Sequence, residues 1–181
     1  MHYTLSDIIL DTVQNSIEAG ARNITLLVSE DAEKFSVSVK DDGKGMDASQ
    51  IGSVFDPFFT EAGKHMNRKV GLGLPFLKQL CDTTGGSAAV ESQKGAGTLL
   101  KYEFPLNHID LPPLGDLPEA ILMLFNYPGE FELVFTRRKG GKEYSFARSE
   151  LAEAVGGLGN AFSLKLAREY LSSYGGDFRS F

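Results

Sequence analysis

Within "VKDDGKGMDASQ", residues 39–50, two carboxylates, Asp41 and Asp42, stand directly before Gly43, Gly45 and Met46. A buried carboxylate here can accept a hydrogen bond from the exocyclic amino group of a flat base. The glycine turn leaves room for the ring, and the Met46 thioether offers a soft apolar wall. That recognition favours adenine over guanine. A second group lies at "GLGLPF", residues 71–76. Glycine backbone lets N–H groups approach phosphate oxygens closely, and a helix start adds the positive end of its dipole. Gly71, Leu72, Gly73 and Leu74 therefore read as a triphosphate cradle. Lys64, His65, Arg68 and Lys69 lie in the loop just before it and can close over the phosphates. Magnesium prefers oxygen ligands and keeps several waters, so it would bridge such phosphates, and Asn15 offers it an amide oxygen. Thr98, in "GAGT", can hold a water or support the carboxylate.

Taken singly, each feature has an ordinary explanation: a solvated helix face, a strand-end turn, charged loop residues. Their weight comes from the elements that position them. "SDIILDTVQNSIEAGA" carries apolar residues at Ile8, Ile9, Val13 and Ile17, the stripe of a helix that Ser6 or Asp7 can cap and Gly20 can close. Its other face aligns Asp11, Asn15 and Glu18, at spacings of four and three. "NITLLVSE" and "KFSVSVKD" read as two strands joined by a short polar turn, and a second helix runs from about Leu74 to just before Gly85. "SAAVESQKGAGTLLKYEFPL" reads as two more strands around a glycine turn.

The predicted class is α+β: a two-layer α/β sandwich, helices packed on one mixed sheet, over residues 1–108. "NHIDLPPLGDLP" reads as a proline-rich linker. Residues 109–181 then form a small C-terminal α+β appendage: a short helix, a hairpin turning at Gly140-Gly141, and two more helices. The hairpin's Arg137, Arg138, Lys139 and Lys142 read either as a solvated tip or as a surface for an acidic partner.

Composition narrows the function classes. Of 181 residues, 42% are hydrophobic and 23% charged, which suits a folded domain of this size. The formal charge of -6 works against nucleic acid or anionic membrane as partners. Cys81 is the only cysteine, which excludes an intrachain disulfide and a cysteine-rich zinc site and suits a reducing, cytoplasmic setting. No apolar run approaches the roughly 20 residues that cross a bilayer, and the start lacks signal-peptide order.

In order, these segments resemble the GHKL superfamily of ATP-binding domains, which includes sensor histidine kinases, gyrase-type topoisomerases, heat-shock chaperones and MutL. The likeness covers about residues 4–106. "DTVQNSIEAGA" is similar to the N box, "VKDDGKGM" to the first glycine box, "FDPFF" to the F box, "GLGLPFLKQL" to the second glycine box and "GAGTLLKYEFPL" to its closing strands. The resemblance implies a Bergerat fold holding ATP and magnesium. By position, Asn15 would bind the metal, and Asp41 would contact the adenine amino group, with Asp42 the variable neighbour. Gly43 and Gly45 would shape the base pocket, the Gly71–Leu74 stretch would cradle phosphates, and Thr98 would support Asp41.

The departures shape the functional expectation. Hydrolytic relatives place a glutamate four residues before the N-box asparagine as general base; here that position is Asp11, one methylene shorter. Base catalysis depends on placement, so hydrolysis is left open. Only ten residues precede Asp11, too few for a kinase's dimerising helices with their phosphoacceptor histidine, and His2 is no substitute. The tail is too short for the transducer domain of MutL or gyrase. The expectation is a free-standing ATP·Mg module, similar in scale to the small serine-kinase anti-sigma factors. It acts either as an ATPase or protein kinase on a partner, or as a non-catalytic switch or adaptor. Partner contact is expected through a Glu61–Val70 lid or the C-terminal appendage, with room for a homodimer.

Overall fold

The structure, a computed structural model, describes residues 4–56 and 73–174. The expected N-terminal helix forms as α1 (Leu5–Glu18), but its cap is Thr4, two residues before Ser6, the nearer of the two caps the sequence suggested. Thr4 Oγ1 accepts from the Asp7 amide at 3.1 Å while Asp7 accepts from the Thr4 amide at 3.0 Å, a reciprocal capping box. Ser6 and Asp7 therefore lie inside the first turn. Ser6 turns inward, where its hydroxyl donates to the Leu114 carbonyl.

β1 (Asn23–Glu30) and β2 (Lys34–Asp41) follow as an antiparallel pair with alternating burial. A short helix α2 (Ala48–Ser53) leads away from the glycine turn. Beyond it come α3 (Gly73–Thr84), β3 (Ser87–Gln93) and β4 (Gly97–Pro105), with β4 pairing antiparallel to both β2 and β3. The remaining elements are α4 (Leu117–Phe125), β5 (Glu132–Lys139), β6 (Lys142–Ala147), α5 (Arg148–Ala154) and α6 (Ala161–Ser173).

Among the described residues, six strands form one mixed sheet in the order β3-β4-β2-β1-β5-β6, whose single parallel pairing joins β1 to β5. The fold class is thus α+β, with helices on a mixed sheet, as the sequence implied. Period-2 alternation puts Ile24, Leu26, Phe35, Val37, Val39, Tyr102, Phe104, Leu133 and Phe135 on one buried face. α1 packs on β1 and β2, α3 on β3 and β4, α4 against α1, and α6 against α4. Each large apolar side chain fully buried this way contributes about 1.5–3 kcal/mol.

The proline-bearing segment after β4 is laid across the start of α1. The carbonyls of Pro113 and Leu114 accept from the Leu5 and Ser6 amides at 2.9 Å each, so two of the helix's open donors are satisfied by this distant segment. Among the described residues no helix is long and apolar enough to cross a membrane.

Arg137 departs from expectation. On β5 it follows Leu133 and Phe135 at period 2, so it points into the core rather than sitting at a hairpin tip. It is fully buried, pairs with Glu30, and lies over the Phe35 ring at 5.7 Å. Lys139 also reaches Glu30, at 2.8 Å. Arg138 pairs with Glu143 on the exposed side. Two of the four cations expected at the tip are therefore tied to Glu30.

Candidate functional site

β2 ends at Asp41, where α1, the glycine turn and β4 meet. Asp41 is buried, yet it opens onto a cavity of about 220 Å³. Its donors among the described residues are neutral: the Ser16 hydroxyl gives a 2.7 Å bond to Oδ2 and the Gly43 amide a 2.9 Å bond to Oδ1. An ionised carboxylate accepts about four hydrogen bonds, so capacity remains toward the cavity. Met46, Val54, Leu74, Val90 and Leu100 supply apolar wall, while Asn15, Glu18, Lys44 and Gln50 supply polar groups. An apolar slot with one fixed acceptor inside suits a flat base bearing an amino group.

The turn that shapes the slot depends on Gly45. Its φ is +61°, and a Cβ there would stand 2.0 Å from the Gln93 carbonyl oxygen. Ser92, opposite, ties the turn to the β3-β4 hairpin, accepting from the Met46 amide at 2.9 Å and donating to the Gly97 carbonyl at 2.8 Å. With its one proton so used, Ser92 accepts from Thr98, 3.0 Å away. Thr98 lies across the ladder from Asp41, but the hydroxyl that reaches Asp41 is that of Ser16.

Asp42 faces the other way. It accepts from the Arg22 and Asn23 amides at 2.7 and 2.8 Å and from the Asn23 side chain at 2.7 Å. Those Asn23 and Arg22 bonds hold its carboxyl below the ordinary range. It fixes the α1-β1 connection rather than lining the cavity.

At the other end of the cavity, α3 starts at Gly73 against α1. A Cβ on Gly73 would stand 1.7 Å from Asp11 Oδ2, so a side chain there would push the Asp11 carboxylate from its present place against the α3 start. Asn15, one turn further along α1, lines the cavity with Leu74. Asp11, Asn15 and the α3 N-terminus thus converge, although they are distant in sequence. Lys64, Gly71, Leu72, the Pro57–Phe59 part of the aromatic corner and the Glu61–Val70 lid, with His65, Arg68 and Lys69, lie outside the described residues. Among the described residues no cluster of three or more His, Cys, Asp or Glu could hold a metal by itself. Asn15 supplies an amide oxygen at the cavity, a donor type that would suit magnesium.

Sequence reasoning missed Ser16 and Ser92. Ser16 carried a usable signal. It sits three and four residues on from Val13 and Thr12, on the buried side of α1, and a hydroxyl on an apolar stripe must find a partner.

Residues 3–108 match the family described as histidine kinase-, DNA gyrase B-, and HSP90-like ATPase. The chain belongs to this family. It carries the GHKL ATP-binding domain of histidine-kinase type. Among curated relatives, the sensor histidine kinase ZraS of Escherichia coli (strain K12) is 31% identical over 113 residues, 61% of this chain and 23% of ZraS. WalK of Bacillus subtilis (strain 168) is 33% identical over 104 residues, 56% of this chain and 17% of WalK. The chain therefore spans about a quarter or less of these relatives' length. A solved structure, the N-terminal domain of a DNA repair protein, aligns over 89% of this chain and 58% of its own, with a TM-score of 0.59 and 14% identity. That likeness concerns the fold, and it extends beyond the GHKL-matched residues into the C-terminal elements.

Proposed function

We propose that this GHKL module binds ATP with magnesium and presents the γ-phosphate to a side chain of a partner protein. The reading rests on Asp41, a buried carboxylate held by neutral donors at the cavity. In this reading Asp41 takes the adenine amino group, Met46 and Leu74 flank the ring, and the phosphates run toward the N-terminus of α3. Asn15 would hold magnesium, which would neutralise phosphate charge when bound. Lys64 and the Gly71–Leu74 stretch would complete the phosphate contacts. Positioning and charge stabilisation carry most of the catalysis in phosphoryl transfer, so a module of this kind needs few reacting groups of its own. A cytoplasmic setting fits this role.

One observation favours a second reading, a nucleotide-dependent switch without turnover. Asp11 is lodged against the first residue of α3, which ties the candidate base to a helix end rather than leaving it to orient water. Phosphate release and radiolabel transfer, measured for wild type, Asp11→Asn and Asn15→Ala alongside calorimetric ATP binding, separate the readings. Magnesium-dependent binding with turnover lost in Asn15→Ala supports transfer, and binding without turnover in any form supports the switch. Wild type that fails to bind ATP with magnesium refutes both.

A further inference from the structure

α6 carries more apolar surface than the fold covers. Ser163, Ala167 and Leu171 are buried against the body of the protein. Toward α4 the helix makes ion pairs, Arg168 with Asp116 and Glu119 at 3.2 Å each, beside a groove lined by Leu122, Met123 and Leu164. On the opposite flank Phe162, Leu166 and Tyr170 stand at four-residue spacing, 72%, 37% and 48% exposed. Residues four apart align on one side of a helix, so these three form a continuous row. The row is anchored at one end, where the Tyr170 ring meets Phe146 edge-on at 6.0 Å and Tyr174 at 5.6 Å. Its surface is thus partly preorganised.

We infer that this flank is where a second copy of the chain docks, α6 against α6, antiparallel about a two-fold axis at Leu166. The row is its own complement, aromatic-aliphatic-aromatic in either direction. Phe162 and Tyr170 lie four residues either side of Leu166, about 6 Å along the axis, so each meets the other's counterpart across the dyad. The charges obey the same symmetry. Lys165 and Glu169, 3.9 Å apart on the solvent side of the helix, are largely exposed. In the antiparallel pair Lys165 of one copy comes within about 3 Å, along the axis, of Glu169 of the other. An acidic or basic partner would leave one of them unmatched, whereas a second copy matches both twice. The three side chains offer roughly 300 Å² of exposed apolar surface per copy, below the half-share of a standard interface, so the dimer is weak and concentration-dependent.

Sedimentation velocity of the full chain, over concentrations up to roughly 1 mM, tests this. Wild type is expected to move from the 19.7 kDa monomer toward twice that mass. Leu166→Glu, which sets two carboxylates face to face at the dyad, should weaken association at least tenfold while unfolding temperature and ATP affinity stay unchanged. Lys165→Glu and Glu169→Lys should each weaken it several-fold, and the double exchange should restore it. A chain that stays monomeric throughout overturns the inference. So does a dimer that survives Leu166→Glu, or a double exchange that fails to recover association.

Discussion

Asp41 and Arg137 occupy the same buried face of the same sheet, and they are held in opposite ways. Arg137, on β5, meets Glu30 on the neighbouring strand and a ring face at Phe35, so its charge is answered inside the chain. Asp41, on β2, has a hydroxyl and an amide but no cation among its donors in the described residues, and it borders a cavity. Burying a charge is costly unless it is paired and hydrogen-bonded. A charge balanced within the fold is structural. One held by neutral dipoles at a cavity keeps its unsatisfied capacity for a ligand. The first should govern stability and the second affinity.

The largest effect should come from the closed pair. Arg137→Ala leaves buried Glu30 with Lys139 as its cation among the described residues, and should lower the unfolding free energy by about 3 kcal/mol in urea titration. Arg137→Met combined with Glu30→Met should recover most of that loss. A single-variant loss under about 1 kcal/mol would erase the contrast. Next, Asp41→Asn should raise the ATP dissociation constant about 100-fold, near 2.7 kcal/mol, with the urea midpoint close to wild type. An affinity within threefold of wild type removes Asp41 from the site. Ser16→Ala, which takes one donor from Asp41, should cost about tenfold in ATP affinity by calorimetry, and no change would mean that Ser16 does not hold the acceptor in place.

The smallest effect belongs to Asp42→Asn. ATP affinity should stay within about twofold, because Asp42 faces away from the cavity. Its depressed folded pKa means it stabilises the protein at pH values above its ordinary 3.8, and that stability is lost as pH falls through the folded value. Thermal melts below about pH 4 should therefore fall more steeply for wild type than for Asp42→Asn. Parallel curves would detach Asp42 from the α1-β1 connection.

Local signals carried much of this architecture. The β-rich run "NITLLVSE" and the alternation in "KFSVSVKD" gave β1 and β2 their bounds, because a half-buried strand imprints its residue types and period on its own sequence. The α1 cap slipped because Thr4, Ser6 and Asp7 are all competent caps, and only the reciprocal bond chooses among them. Arg137 was misplaced by reading charge before period: the positions of Leu133 and Phe135 already assign it to the core face. Residues that meet only in three dimensions, such as Asp11 with Gly73 or Ser92 with Thr98, leave no local trace, since neither member's neighbours encode the other. The parallel pairing of β1 with β5 is of this kind, a contact across more than a hundred residues.

That pairing also decides what a shorter protein would be. All eight residues of β1 are matched by β5, from Asn23 opposite Glu132 to Glu30 opposite Lys139. A form truncated after β4 would keep the cavity walls named above, yet it would turn β1 from an inner strand into a bare rim with an open row of amides and carbonyls. Such a rim is a template for any passing strand. Trimming the chain to its ATP-binding residues would therefore make an adhesive particle, prone to stack on its own kind, rather than a minimal nucleotide binder.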